Sequence, residues 1–143
     1  MLDELRVHAA DRGLAVDARV GDAVAPDFPP GRFDAMTSRH LLWTLREPET
    51  AMANWLALLR PGGRLVAVDG FWFREWEEGE APPLFAEHYA PAIRDELPFI
   101  HLHGPEPMLE MLTAVGFVDV VAKARPDLAL GDGTSYFITA RRA

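Results

Sequence analysis

LRPGGRLVAVDG, at residues 59–70, carries the signal from which the architecture of this chain follows. The proline and the two glycines after it predict a turn. The apolar run at residues 65–68 is typical of a strand that is covered on both faces. A helix upstream must end before Pro61, because proline disfavours helical geometry in the residue that precedes it. Residues 59–70 therefore predict the end of a helix, a turn and a buried strand.

The residues before this stretch predict two more strands, one more helix and the start of the helix that ends before Pro61. Residues 16–20 alternate between apolar and charged side chains, which is the period of a half-exposed strand. Residues 33–38 predict a second strand, and Pro48 is a good first-turn residue for the helix that follows. The apolar face of this helix is formed by Ala51, Met52, Trp55, Leu58 and Leu59. An earlier helix is predicted from residue 2 onward, with Gly13 at its end.

Downstream of residue 70, one helix and two strands complete the pattern. Pro107 begins the helix, and Gly116 ends it. The segments 118–122 and 136–140 are predicted strands with no helix between them, so they should form an antiparallel hairpin. Because helix and strand alternate through most of the chain, the fold class is α/β, with a mostly parallel sheet and a C-terminal antiparallel hairpin.

Composition limits the classes of function. The 143 residues fit one domain. A net charge of −8, from 14 basic and 22 acidic residues, and the absence of a basic cluster argue against a nucleic-acid partner. No apolar run reaches the roughly 18 residues of a membrane span, and no histidine or carboxylate set predicts a metal. The absence of cysteine excludes disulfides and a cysteine nucleophile, and it fits a reducing, cytoplasmic location.

Four motifs follow one another along the chain: GDA at residues 21–23, FDAMTSRH at 33–40, LRPGGRL at 59–65 and LTAVGF at 112–117. In that order and spacing, the chain resembles the class I S-adenosylmethionine-dependent methyltransferases. It is most similar to the branch that acts on small molecules, including quinone-ring and natural-product methyltransferases. The resemblance covers nearly the whole chain apart from residues 71–104. It implies a Rossmann-like methyltransferase sheet and S-adenosylmethionine as the cofactor.

One part of the family's pattern is absent from this sequence. The family begins its sheet with a strand and a glycine-rich loop that holds the methionine part of the cofactor. A second strand then ends in an acidic residue that binds the ribose hydroxyls. The resemblance therefore implies a sheet truncated at its N-terminus, in which the strands at 16–20 and 33–38 face a gap. Because each buried unpaired backbone group costs about 1–3 kcal/mol, we expect these strands to pair directly, to keep wet edges, or to meet a second chain, as in a homodimer through the exposed edges.

The resemblance also implies which residues form the site. Asp22 would accept a hydrogen bond from the adenine amino group, and the backbone of Ala23 would meet an adenine ring nitrogen. Ser38, Arg39 and His40 would flank the methionine end of the cofactor and the transferred methyl group. His40 is also a candidate catalytic base, because imidazole titrates near neutral pH. From the residues alone, Asp22 also fits a turn aspartate, and residues 38–40 also fit a capping and packing role.

Residues 71–104 form a long connection that is rich in aromatic side chains. Long irregular connections in compact domains are usually functional, and by position this one resembles the family's variable substrate-covering insertion. Trp72, Trp76 and Tyr89 are therefore predicted to bind the substrate. The alternative is that these rings cover the sheet edge or make a dimer contact. Asp69, just before this segment, either contacts a substrate or a cation, or caps a turn.

The predicted function is the transfer of a methyl group from S-adenosylmethionine to a small organic acceptor. Methyl transfer from a sulfonium needs alignment and the exclusion of water more than it needs a catalytic triad. The alternative is a degenerate or truncated methyltransferase fold without catalysis, which acts as a partner subunit or a binding module. The sequence does not decide whether the acceptor atom is oxygen, nitrogen or carbon.

Overall fold

Four strands form one mixed sheet in the computed structural model, which describes residues 2–71, 87–128 and 134–143. The strands are β1 (Phe33–Arg39), β2 (Leu59–Phe71), β3 (Phe117–Ala124) and β4 (Thr134–Arg142), in the spatial order β1-β2-β4-β3. β1 runs parallel to β2, whereas β4 runs antiparallel to both β2 and β3. The predicted Rossmann-like methyltransferase sheet with its C-terminal antiparallel hairpin is confirmed, but among the described strands only the β1–β2 pair is parallel, so the sheet is mixed and not mostly parallel.

Four α-helices and two short 3₁₀ helices accompany the sheet in the described part of the chain. The α-helices are α1 (Leu2–Asp11), α2 (Pro48–Leu58), α3 (Pro91–Arg94) and α4 (Glu106–Ala114), and the 3₁₀ helices are η1 (Leu42–Thr44) and η2 (Pro126–Leu128). Proline lies in the first turn of α2 and of α4, as predicted. None of the described helices has both the length and the apolar character needed to cross a bilayer.

The hydrophobic core lies between the sheet, α2 and α4. It contains Ala51, Met52 and Trp55 of the predicted apolar face of α2, together with Leu59, Leu65 and Ala67 of β2. From residues 87–104, the core takes Leu97, Phe99 and Ile100, each at most 4% exposed. These three side chains therefore stabilise the domain and do not line an open pocket. The core residues of the C-terminal half are Met108, Leu112, Phe117, Ile138 and Ala140.

The predicted turn at residues 61–63 lies inside the bounds of β2 and interrupts its pairing with β1. The Cα register moves from Phe33 opposite Leu59 to Ala35 opposite Arg64, so the intervening residues leave the ladder. Gly62 has a φ of +76°, which favours glycine. A Cβ atom on Gly63 would lie 2.8 Å from the carbonyl oxygen of Arg60. The two glycines thus let the chain turn tightly from α2 into the buried part of β2.

The predicted strand at residues 16–20 is wrong. The structure has irregular backbone there, with Val16 46% and Val20 87% exposed. A strand needs a hydrogen-bonded neighbour, and in the described part of the chain β1 pairs with β2 alone. Direct pairing of the two facing strands, one of the expected outcomes, is therefore not observed among the described residues. The segment is held instead by side chains, with the Arg6 guanidinium donating to the carbonyl oxygen of Ala18 at 2.7 Å.

Arg142, near the end of β4, ties the sheet to the C-terminus of α2. Its Nη1 atom donates to the carbonyl oxygens of Leu56 at 3.2 Å and Ala57 at 3.0 Å, and also to that of Leu59. Carbonyl groups in the last turn of a helix lack intrahelical partners, and the helix dipole favours a cation there. A single guanidinium therefore satisfies the end of α2 at the point where the chain enters β2.

Replacing Arg142 with alanine is expected to lower the free energy of unfolding by about 2 kcal/mol, because hydrogen bonds to a charged group are lost and carbonyl groups are left unsatisfied. Chemical denaturation measures this change. Arg141→Ala is the matched control: Arg141 pairs with Asp119 at 2.7 Å on the surface, and such exposed pairs contribute about 0–1 kcal/mol. Equal losses in the two variants would contradict the assigned role of Arg142.

Candidate functional site

The loop at residues 22–25 and the C-terminal end of β1 meet at a small cavity. The cavity measures about 170 Å³, and its walls are Ala23, Pro26, Met36, Thr37, Ser38, Leu41, Trp55 and Leu65. Ligands of open α/β sheets bind at the carboxyl ends of the strands, and β1 ends at this cavity. The structure thus brings together two residues that were predicted as cofactor contacts from separate motifs, Ala23 and Ser38.

Two side chains of α2 hold the loop at residues 22–25 in place. The indole Nε1 of Trp55 donates to the carbonyl oxygen of Ala23 at 2.7 Å, and the amide Nδ2 of Asn54 donates to that of Val24 at 2.8 Å. The helical pattern of the sequence identified Trp55 as a core residue, which it is. Its hydrogen bond to the loop was missed, because it joins residues 32 positions apart.

Asp22 forms a local turn at the start of this loop. Its Oδ1 accepts the backbone N–H of Val24 at 2.8 Å, and its side chain is exposed. This is the aspartate turn that the residues alone also allowed. Asp22 directly precedes Ala23, which lines the cavity, and Asp22 itself lines a broader groove between α1 and the loop.

Ser38 carries a buried polar atom in the cavity wall. Its Oγ is inaccessible to solvent and has no hydrogen-bond partner among the described residues. A buried hydroxyl without a partner costs about 1–3 kcal/mol, so such groups in native proteins need a specific explanation. A polar atom of a bound ligand would supply the missing partner, because a hydroxyl can both donate and accept. The cavity therefore suits a ligand with polar atoms among apolar walls.

His40 follows β1 in a left-handed backbone conformation, with a φ of +53°. Its N–H donates to the carbonyl oxygen of Val68 at 2.8 Å, which continues the contact between β1 and β2. Its Nε2 accepts a hydrogen bond from Nε of Arg39 at 3.2 Å. Burial, and then the positive charge of Arg39, lower the pKa of His40 below its usual 6.5. The imidazole is therefore neutral at neutral pH and has the charge state that a proton acceptor requires.

Asp69 lies near the C-terminal end of β2, on the same face of the strand as the core residues Leu65 and Ala67, and it is fully buried. Its Oδ2 accepts the N–H of Leu42 at 2.7 Å, and its Oδ1 accepts that of Gly70 at 3.0 Å. The sequence left open a cap on the turn that follows Asp69, but the main partner is distant in sequence: Asp69 binds Leu42, the first residue of η1 and two residues after His40. Burial raises the pKa of Asp69 to about 6, although backbone N–H groups partly oppose this rise.

The predicted substrate-binding residues are only partly visible. Trp72 and Trp76 lie outside the described residues. Tyr89 is half-buried, and its ring centroid lies 5.1 Å from that of Trp43, a buried residue of η1. Tyr89 therefore packs against the segment that follows His40. Within residues 2–71, 87–128 and 134–143, no group of three or more side chains has the composition of a metal site.

The raised pKa of Asp69 predicts how stability depends on pH. The folded protein binds this proton more tightly than the unfolded chain, whose aspartate has a pKa of 3.8. The contribution of Asp69 to stability is therefore complete below about pH 4 and is lost as the pH rises through about 6. The loss amounts to about 3 kcal/mol of unfolding free energy.

The measurement is the unfolding free energy of the wild type minus that of Asp69→Asn, determined between pH 4 and pH 8. This difference removes the contributions of the other carboxylates, because both proteins share them. It should fall as the pH rises and then level off above about pH 7. A difference that stays constant over the whole range would show that Asp69 titrates normally.

Comparisons with known proteins support one family. Residues 1–67 match a family model described as a methyltransferase domain. The nocamycin O-methyltransferase of Saccharothrix syringae is 31% identical over 134 residues, an alignment that covers 84% of this chain and 48% of that protein. The demethylmenaquinone methyltransferase of Thermus thermophilus is also 31% identical, with 82% of this chain and 59% of that protein covered. The chain thus spans about half the length of these curated relatives.

The fold agrees with the sequence comparison. The crystal structure of the [4+2]-cyclase SpnF superposes with a TM-score of 0.68 at 21% identity, over 99% of this chain and 62% of that one. At this identity, the likeness shows the fold alone. Together with the ordered motifs and the relatives, it leads to one assignment. The comparisons support a class I S-adenosylmethionine-dependent methyltransferase.

Proposed function

We propose that the protein transfers a methyl group from S-adenosylmethionine to a small organic acceptor. The observation that carries the proposal is the shared cavity of Ala23 and Ser38, which joins the loop after residue 21 to the carboxyl end of β1. The names of two relatives refer to nocamycin and to demethylmenaquinone, which are small organic molecules. These names support an acceptor of that class.

The absence of cysteine supports a cytoplasmic location.

The described residues fit one part of the cofactor. Pockets for drug-sized ligands measure about 300–1,000 Å³, so a cavity of about 170 Å³ suits a fragment such as a heteroaromatic ring. The buried Oγ of Ser38 and the backbone of Ala23 supply polar groups in its wall. In our proposal Asp22 and Ala23 hold the adenine, and Ser38, Arg39 and His40 lie toward the methionine end.

The residues of this chain act mainly by binding and orientation. The bound cofactor supplies a methyl group that its sulfonium already activates. Alignment of the acceptor and exclusion of water then provide most of the acceleration. A neutral His40 would orient an acceptor hydroxyl or accept its proton, once Arg39 leaves Nε2. Trp72, Trp76 and Tyr89 are proposed to contact the acceptor.

Calorimetric titration with S-adenosylhomocysteine tests this proposal. Asp22→Asn keeps an oxygen that can accept the N–H of Val24, so the local turn persists, but it removes the negative charge. We expect affinity to fall by about tenfold, the loss that follows when a charged hydrogen bond is weakened. The matched control is Asp27→Asn, because Asp27 is also an exposed aspartate of the groove beside α1 and is not assigned to the adenine.

Two results would contradict the proposal. A folded chain that binds no S-adenosylhomocysteine at millimolar concentration would favour the alternative of a methyltransferase fold that serves as a partner subunit. Binding that Asp22→Asn and Asp27→Asn weaken equally would keep the cofactor but remove Asp22 from the adenine site.

We also propose that the protein forms a homodimer through the free edge of β1. Exposed strand edges pair readily with other chains. Val16 and Val20, in the segment that precedes β1, add exposed apolar surface. Sedimentation should show a dimer, and Ala35→Lys in β1 should dissociate it, because a charge at an edge opposes pairing. Val121→Lys in β3, at the other edge of the sheet, is the control. A monomer at all concentrations would disprove the proposal.

A further inference from the structure

The carboxylate of Asp69 lies at the junction between the central strand of the sheet and the turn that leaves β1. β2 pairs with β1 on one side and with β4 on the other. The last residue pair between β1 and β2 joins Arg39 to Val68, so Asp69 is the next residue along β2, beside His40. The carboxylate is fully buried there.

Two consecutive residues of β2 hold the chain as it leaves β1. The carbonyl oxygen of Val68 accepts the N–H of His40 at 2.8 Å, and Oδ2 of Asp69 accepts the N–H of Leu42 at 2.7 Å. Between these contacts, His40 has its left-handed backbone, which is uncommon for a residue other than glycine. Such a conformation persists only when its surroundings impose it. Val68 and Asp69 are the surroundings that impose it here.

This carboxylate is unfavourable for the fold as a whole. Backbone N–H groups of residues 41–43 and of Gly70 surround it, and among the described residues it makes no ion pair with a cation. Burying a charge without a counter-ion is costly even when hydrogen bonds compensate in part. General stability therefore does not explain an ionised aspartate at this position. Its specific contacts, with the turn that carries His40, do explain it.

We propose that Asp69 is a positioning residue of the cofactor site: by anchoring the turn into η1, it fixes Ser38 in the cavity wall and His40 two residues after it. Asp69 contacts neither cofactor nor acceptor in this arrangement. It acts through the backbone of Leu42 and His40. The expected effect on cofactor binding rests on the proposed function. The effect of Asp69 on the turn can be tested without any ligand.

The variant Asp69→Asn separates the charge from the shape of the side chain. An amide has one accepting oxygen, and its NH₂ group would face the N–H of either Leu42 or Gly70, which are both donors. Ser135→Ala is the matched control. Ser135 is equally buried, lies opposite Gly70 in β4, and donates its hydroxyl to the carbonyl oxygen of Leu128, away from η1.

Hydrogen exchange by NMR, at a pH above 6 where Asp69 is ionised, gives the first readout. In Asp69→Asn, the amides of His40 and Leu42 should exchange at least about tenfold faster relative to the amide of Ile138, as expected for the loss of a charged hydrogen bond. The amide proton resonance of Leu42 should also move upfield relative to the wild type, because its short hydrogen bond to the carboxylate is lost. Ser135→Ala should change neither. Equal behaviour of the two variants would overturn the proposal.

Titration with S-adenosylhomocysteine gives the second readout. Asp69→Asn should weaken binding by about tenfold relative to Ser135→Ala, because Ser38 and His40 lose their fixed position. Absence of binding in every protein would count against the proposed function and leave the exchange result to decide the positioning role. Unchanged binding in a variant with fast exchange at Leu42 would overturn the link to the cofactor site.

The wild-type protein provides a test that does not depend on the folding of a variant. Lowering the pH through about 6 protonates Asp69, so the Leu42 amide resonance should move with that midpoint. Among the described residues, His40 after β1 and Tyr136 in β4 are the titratable side chains that flank Asp69 in the sheet, and the His40 ring resonances report its own titration separately. A Leu42 amide that follows His40, or that does not move, would overturn the proposal.

Discussion

The pairing of β2 with strands on both of its sides is the constraint on which the rest of the structure depends. β2 is buried between β1 and β4, so its backbone groups are satisfied and its core-facing side chains are covered. It also determines where the chain leaves β1, because Val68 and Asp69 bind the residues that follow. Arg142 secures the other end of the same strand by holding the C-terminus of α2. The cavity lies beside this strand, with Leu65 in its wall.

In the candidate site, hydrogen bonds between residues that are distant in sequence fix a local turn that the sequence motif alone identifies only weakly. Asp22 and Ala23 form a turn that many loops could form. Trp55 and Asn54 hold that turn against the end of β1, so a cavity forms between them. The backbone of the loop is thereby fixed before any ligand binds, which lowers the entropic cost of binding. An unsatisfied hydroxyl at Ser38 adds a preference for a polar ligand atom.

Fold and function remain separate conclusions. A solved structure with a TM-score of 0.68 to this chain is that of a [4+2]-cyclase, so the same architecture hosts more than one chemistry. The proposed methyl transfer therefore rests on the residues around the cavity and on the relatives. The neutral charge state of His40 is compatible with a role as proton acceptor, and the buried Asp69 contributes to the position of that residue.

The sequence alone determined most of the local structure. Periodic apolar residues, Pro48 and the glycines at 62, 63 and 116 predicted α2, α4, the turn and all four of the described strands, because these signals act over a few residues. The sequence could not show that residues 16–20 remain irregular, since a strand depends on a neighbour that local patterning does not reveal. Nor could it show the bond from Trp55 to Ala23 or the role of Asp69. Only the tertiary structure decided these features, because each hydrogen bond joins groups about 30 residues apart whose meeting depends on the packing of the whole sheet.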